Sequence, residues 1–123
     1  MYYEIITRVV DASFVHKKII SGGGEFAKVL LRLEPLPDGS GFQFVNDAAA
    51  DVLPAELVDG VREGVVQAAM MGVLAGHPVT DVRVTLVDGA YHDIDSSRHT
   101  FCLAARGAFR DGMRKAGPQI RER

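Results

Sequence analysis

Between Asp88 and Ser97 the chain reads Asp-Gly-Ala-Tyr-His-Asp-Ile-Asp-Ser-Ser. This stretch gathers an imidazole (His92), two nearby carboxylates (Asp93, Asp95), a phenol (Tyr91) and two hydroxyls (Ser96, Ser97). Three chemistries are open to such a set. One imidazole and two carboxylates can hold a hard cation loosely, although the spacing matches no strong metal-binding signature. An Asp-oriented His beside a Ser could act as an acid–base and nucleophile pair. Yet a serine directly ahead of a helix is better placed to cap it. Tyr91 and His92 could instead stack on unpaired bases and hydrogen-bond to phosphates or base edges, which makes the stretch a contact surface. A solvated, capped turn with no ligand is the plainest alternative.

The elements on either side specify the position of these side chains. Val82-Arg83-Val84-Thr85-Leu86-Val87 alternates, and the sequence predicts a strand over 79–87. A helix is predicted from about 96 to 116, burying Phe101, Ala105, Ala108, Phe109, Gly112 and Met113 at three- and four-residue spacing. Gly117-Pro118 stops it. Tyr-His therefore lies on a tight polar connection between two well-specified elements, and such connections present side chains to partners.

The remaining pattern predicts one long strand over 2–20, bent or bulged near Asp11-Ala12-Ser13, and a glycine-rich turn from Ser21 to Gly24. A strand over 26–34, a loop at 35–41 and a short strand at 42–45 follow. A helix over 53–71 has Leu57, Val61, Val65, Ala68, Ala69 and Gly72 on one side, Pro54 in its first turn and Glu56 favouring its N-terminal dipole. Gly60 and Gly64 weaken that helix and are expected to mark close packing on the sheet. The order strand, strand, strand, helix, strand, helix fits an α+β two-layer sandwich, with two helices on one face of an approximately four-stranded sheet.

Other residues weigh less. Ser21-Gly22-Gly23-Gly24-Glu25-Phe26 looks like a phosphate-binding loop but lacks the Gly-Lys-Ser/Thr ending and links two strands, which argues against nucleotide binding. Arg106, Arg110 and Arg114, with Lys115 beside them, line one helix face: a solvated surface or a phosphate-contacting stripe. His16, Lys17 and Lys18 lead into the glycine turn. His77 before Pro78 reads as structural, and His99 as exposed and without a role. The single Cys102 falls inside the last helix pattern as a small core residue. With one cysteine no internal disulfide is possible, which favours a reducing compartment.

At 123 residues the chain is sized for one domain with a real core, and 47% apolar with 24% charged residues is globular composition. No apolar run approaches the ~20 residues that span a bilayer, and no signal segment opens the chain. The net charge of −2 is unevenly spread: residues 33–97 hold eleven acids against two arginines, whereas both ends are basic. This is no general polyanion binder, so any nucleic-acid contact must be local. Weak, salt-sensitive RNA binding is the most expected of these residues alone.

Four segments, in order along nearly the whole chain, resemble one family. The Tyr-His stretch resembles the tip loop of domain IV of bacterial elongation factor G, the translocation GTPase. Gly72-Val73-Leu74-Ala75-Gly76-His77-Pro78-Val79 resembles the turn before the strand leading to it. The run from Leu103 to Pro118 resembles that domain's last helix, and Ser21 to Phe26 its other tip loop. The resemblance implies the fold shared with the second domain of ribosomal protein S5: a mixed sheet with a left-handed βαβ crossover, where general topology rules would give a right-handed one. It also implies a single domain over 1–120, with 121–123 as a tail, cut from a larger multidomain GTPase.

By the same resemblance the tip loops enter the decoding region of the small ribosomal subunit and promote tRNA–mRNA translocation. His92 falls on the family's tip histidine, the one that carries diphthamide in eukaryotic relatives. Tyr91, His92, Asp93, Ser21, Gly22, Gly23, Gly24, Phe26 and Lys28 would meet tRNA–mRNA and the ribosome. Lys17, Lys18, Arg106, Arg110, Arg114 and Lys115 would meet rRNA phosphates. The implied partners are small-subunit RNA, tRNA–mRNA and other domains of the parent chain, with no membrane, in the cytoplasm, and a monomeric fragment. No catalytic residue, metal or cofactor is implied here, since GTP and Mg belong to the parent's absent G domain.

Two departures stand against the family pattern. The glycine loop is one residue shorter and lacks the usual basic or polar residue between its second and third glycines. Asp47 to Leu53 retains the following Pro54 but not the family's glycines. The alternatives are a diverged paralogue acting in ribosome recycling or tetracycline-type ribosomal protection, or a free-standing acid–base enzyme of the same fold using His92 and Asp93.

Overall fold

Alternating apolar and polar residues place more than a third of the chain in strands. The computed structural model describes all 123 residues. In chain order the elements are β1 (Tyr2–Ile5), β2 (Val10–Ile20), β3 (Gly23–Pro35), β4 (Phe42–Asn46), α1 (Ala55–Ala69), β5 (Val82–Ala90), α2 (Arg98–Lys115) and β6 (Gln119–Glu122). The main sheet has the order β2-β3-β5-β4, and β1 with β6 forms a separate two-stranded ribbon. β3 is antiparallel to β2 and β5, with a bulge between Leu30 and Leu31, whereas β4 runs parallel to β5. The sheet is therefore mixed, and α1 connects its parallel pair.

Alternation decides which face is covered. Ala27, Val29, Leu31 and Leu33 of β3 are fully buried, while Lys28 and Arg32 between them are exposed. α1 supplies Leu57, Val61 and Val65 to that face, and α2 supplies Phe101, Ala105, Ala108, Phe109 and Met113. The result is the α+β two-layer sandwich that the periodicity predicts. Every residue predicted to be buried on the last helix is buried.

Several expectations need correction. The predicted strand over 2–20 is two strands, and the break lies at 6–9, ahead of Asp11-Ala12-Ser13. The backbone is diverted there because the Ala116 carbonyl, at the end of α2, accepts from both Thr7 N (2.8 Å) and Arg8 N (3.1 Å). Residues 121–122 are no tail but part of β6, which pairs Tyr2 with Glu122 and Ile5 with Gln119. Gly60 and Gly64 face the other helix, not the sheet. A Cβ at Gly60 would lie 2.4 Å from the Arg98 carbonyl oxygen, and one at Gly64 2.3 Å from that of Cys102. Gly72 lies beyond α1, in a left-handed turn with φ 56°.

β5 also starts later and ends later than predicted. Asp81, at φ 58°, turns the chain into the strand. Its buried carboxylate accepts from Gly39 N (3.1 Å) and Gly41 N (3.0 Å), with the Arg123 guanidinium on its other side. Burial alone would raise this carboxyl's pKa, but these donors together hold it below the ordinary value. At the far end the strand runs on through Asp88-Gly89-Ala90, so the connection that carries Tyr-His is only Tyr91 to Ser97.

A second buried carboxylate organises the base of the fold. Glu4 is fully buried and accepts from four backbone N–H groups: Val73 (2.6 Å), Leu74 (2.8 Å), Ala75 (2.9 Å) and His77 (3.1 Å). Burial works to raise its pKa, and the four donors outweigh burial and lower it. Because the folded pKa is depressed, the stabilisation is present above the ordinary carboxylate pKa and is lost as pH falls through the depressed folded value. Glu4→Gln is expected to cost about 3 kcal/mol at neutral pH. In urea unfolding from pH 7 to 3, the variant should lose less further stability on acidification than the parent; parallel pH profiles would refute this role. Gly64→Ala is expected to cost about 2 kcal/mol by forcing the helices apart, and an unchanged urea midpoint would show that the helix contact can yield.

Candidate functional site

The two turns singled out in the sequence lie side by side. Ile20 pairs with Gly23, so the glycine-rich segment is a two-residue turn, Ser21-Gly22, with Gly22 at φ 87°. Gly23 and Gly24 already belong to β3. A Cβ at Gly24 would meet the Lys18 carbonyl oxygen at 3.2 Å and Asp95 Oδ2 at 3.3 Å, so the absent side chain lets the second loop close against the hairpin.

Hydrogen bonds fasten that second loop. Phe26 N donates to the Asp95 carbonyl (3.0 Å), and Ser96 Oγ donates to the Phe26 carbonyl (2.6 Å) while accepting from His92 N (2.9 Å). Ser96 N closes the turn onto the His92 carbonyl (3.0 Å). Ser97 caps α2: its Oγ accepts from Thr100 N (3.1 Å), and Thr100 Oγ1 accepts from Ser97 N (2.9 Å). The two serines, interchangeable as caps in the sequence, thus have separate tasks, and both hydroxyls are engaged. His92 contacts Ser96 only through its backbone, while its ring stacks on Phe26, with centroids 4.0 Å apart and planes 8° from parallel. The arrangement supplies no His–Ser nucleophile pair, and no three His, Cys, Asp or Glu side chains are grouped to hold a metal ion.

Around the stack lies a groove of about 280 Å³ whose lining includes Lys17, Lys18, Gly24, Phe26, His92 and Asp95. Lys17 is opposite Phe26 in the ladder and Lys28 opposite Ala90, so Lys17, Lys28 and Phe26 share the open face of the sheet. Tyr91 and Asp93 are exposed. On the other face His16 Nε2 lies 2.9 Å from Glu25 Oε1, and this hydrogen bond lowers the Glu25 pKa. Sequence reasoning missed two residues here: Ile94, on the second loop, is 94% exposed and Ile19, near the end of β2, is 84% exposed. An isoleucine between two aspartates was the available signal.

The α2 stripe does not join this cluster. Arg114 lies seventeen residues beyond Ser97, about 25 Å along the helix axis. It pairs with Asp111 (3.5 Å), and Lys115 Nζ donates to the Asp11 carbonyl. Arg106 and Arg110 are half-buried midway along. Cys102 is buried and its thiol pKa is pushed up by that burial, as expected of a structural cysteine.

A family model described as "Elongation factor G, domain IV" matches residues 1–117. The chain belongs to the elongation factor G domain IV family. Among curated relatives, Elongation factor G of Ehrlichia chaffeensis is 49% identical over 121 residues, covering 98% of this chain and 18% of the relative. That of Hyphomonas neptunium is also 49% identical, covering 98% of this chain and 17% of the relative. A crystal structure of a Thermus thermophilus protein superposes with a TM-score of 0.90 at 36% identity, covering 97% of this chain and 18% of that one. The chain thus spans under a fifth of the length of these relatives.

In this elongation factor G domain, Ser96 is the fastener of the second loop. Ser96→Ala is expected to cost about 1 kcal/mol and to speed amide exchange at His92 while leaving α2 protected. Ser97→Ala should cost a similar ~1 kcal/mol through the helix cap. Equal protection of His92 in the parent and in Ser96→Ala, followed by hydrogen exchange, would sink the fastening role.

Proposed function

We propose that this chain is the ribosome-contacting domain of a translational GTPase. Its two loops enter the decoding region of the small subunit and promote tRNA–mRNA translocation. The observation that carries the reading is the Phe26–His92 stack on a fastened loop, in a chain of the elongation factor G domain IV family. The rings present an aromatic surface suited to an unpaired base, whose stacking on an aromatic side chain contributes about 1–3 kcal/mol. Lys17, Lys18 and Lys28 supply phosphate contacts around it, with Tyr91, Asp93 and the Ser21–Gly24 turn shaping the surface. Apart from the tip, Arg106 and Arg110, with Arg114 and Lys115 further along α2, would make a separate contact to rRNA phosphates.

The domain's part is mechanical. GTP and Mg belong to a G domain elsewhere in the parent, in the cytoplasm, and no residue here performs chemistry. Loops that bind the post-movement arrangement better than the pre-movement one bias the equilibrium forward, by no more than that difference in affinity. Because the tip mixes lysines with Glu25, Asp93 and Asp95, its net attraction for RNA phosphates is weak, and the lysine contacts lose strength as salt rises.

The test is His92→Ala in the full-length protein. Translocation on programmed ribosomes should slow about tenfold, as the loss of one stacking contact implies, with ribosome-dependent GTP hydrolysis nearly unchanged. Unaltered translocation would refute the tip-contact role.

A further inference from the structure

The main sheet has two edges, and they are built differently. β2 closes one edge and β4 the other. A bare edge offers unpaired N–H and C=O groups to any strand that reaches it, and charged side chains are the usual guard. β2 is guarded: Lys17 and Lys18 lie on it, and Lys115 Nζ covers its Asp11 carbonyl. β4 reads Phe-Gln-Phe-Val-Asn, with no charge and no proline. Gln43, Val45 and Asn46 are exposed. The ladder to β5 is flanked by Gly41, whose carbonyl accepts from Val82 N (3.2 Å), and by Asp47, whose N–H donates to the Leu86 carbonyl (3.0 Å). Alternate residues of a strand direct their backbone groups to opposite sides, so Phe42, Phe44 and Asn46 turn theirs to the open edge.

That edge runs into a groove. Beyond Asn46 the chain turns through Ala48-Ala49-Ala50-Asp51, closed by Val52 N on the Ala49 carbonyl (3.0 Å), before α1 begins. This is the stretch where the chain lacks the family's glycines. The groove between the turn and α1 measures about 310 Å³, and its lining includes Ala48, Ala49, Ala50, Leu53 and Val58. Its rim is acidic. Asp59 is paired with Arg62 (3.0 Å), whose guanidinium lies over the Phe44 ring, 5.1 Å from the centroid. Asp47, Asp51 and Glu56 are exposed and take part in no ion pair. Glu56 serves the N-terminal dipole of α1, whereas Asp47 and Asp51 precede the helix and are free for a partner. Such a rim repels phosphate, so nucleic acid is the wrong occupant. A protein segment with basic side chains is the right one.

We propose that β4 and the groove beside it accept an extended, basic segment of another protein, which adds to the four-stranded sheet as a further edge strand. Main-chain hydrogen bonds to Phe42, Phe44 and Asn46 hold the segment, and its alternate side chains decide which sequence fits. Small apolar side chains enter the groove beside Ala48 and Ala49, and Lys or Arg side chains meet Asp47 and Asp51. The Phe26–His92 stack takes no part, so failure of the His92→Ala experiment would leave this surface unaffected.

The probe is a synthetic peptide amide, Lys-Val-Arg-Val-Lys-Val-Arg, titrated against the 123-residue chain at low salt. Binding should saturate, weaken as salt rises, and slow amide exchange at Phe44 and Asn46. Asp47→Asn combined with Asp51→Asn should weaken it about fivefold, as the loss of two exposed charge pairs implies. The urea midpoint of this double variant should be unchanged, because neither carboxylate is paired within the fold. A peptide with Glu in place of each Lys and Arg should not bind. Absence of saturable binding, unchanged exchange at Phe44 and Asn46 in the bound chain, or equal affinity of the double variant would each overturn the proposal. Slowing of the same amides by an oligouridylate would assign the edge to RNA. Slowing in the chain alone that rises with its concentration would assign it to a second copy, and either result overturns the proposal equally.

Discussion

The backbone contact between α1 and α2 is the constraint on which the rest depends. Side chains normally hold packed helix axes 8–10 Å apart. Here Gly60 and Gly64 remove that spacer, and any Cβ would collide with the Arg98 and Cys102 carbonyl oxygens. The close fit fixes the first turns of α2 against α1, and those turns begin at the Ser97 cap. A displaced α2 would carry Ser96 and Ser97 away from β3, and the hydrogen bonds to Phe26 would be lost. The cost of two glycines within a helix, about 1 kcal/mol each relative to alanine, is therefore offset at the other end of a seven-residue loop.

The base of the fold uses a different device. A loop with four consecutive or near-consecutive backbone donors pointing inward is an anion-binding concavity. Glu4 fills it from within, so the concavity is structural and not a ligand site. Asp81 repeats the arrangement on the 37–41 loop, with Arg121 of the last strand reaching Asp38 and Arg123, just beyond that strand, reaching Asp81. Both carboxylates are buried, and each is satisfied by backbone N–H groups, which avoids the penalty of an unpaired internal charge. Strands as short as β1 and β6 would be marginal alone; these anchors fasten them to the body.

Local periodicity made the large elements legible, whereas contacts between distant residues were hidden. The stripe from Phe101 to Met113 has a helical period, and no tertiary partner is needed to read it. The break at 6–9 depends on the Ala116 carbonyl, more than a hundred residues on, and nothing in Ile-Thr-Arg-Val announces it. β6 exists because β1 is beside it. Gly60 and Gly64 signalled close packing correctly but not its direction, because a missing side chain has no orientation to read. At the tip, Phe26 and His92 were both named from their segments, yet their stacking is a relation across 66 positions that no spacing rule encodes.

That stacking matters because of where the hairpin ends. From Lys17 to Ile20 every residue of β2 is exposed, so the hairpin projects past the layer of helices. A two-stranded ribbon without a packed face is only marginally rigid, and a flexible probe would lose its contact energy to ordering on binding. The second loop supplies the missing support. Asp95 continues the ladder by accepting from Phe26 N, Ser96 bridges Phe26 to His92, and the His92 ring covers the Phe26 ring. Phe26 thus holds His92 in place, and His92 in turn braces the strand that carries Lys28. A tip built this way can be largely exposed and still pre-organised, which a solvated turn without these contacts would not be.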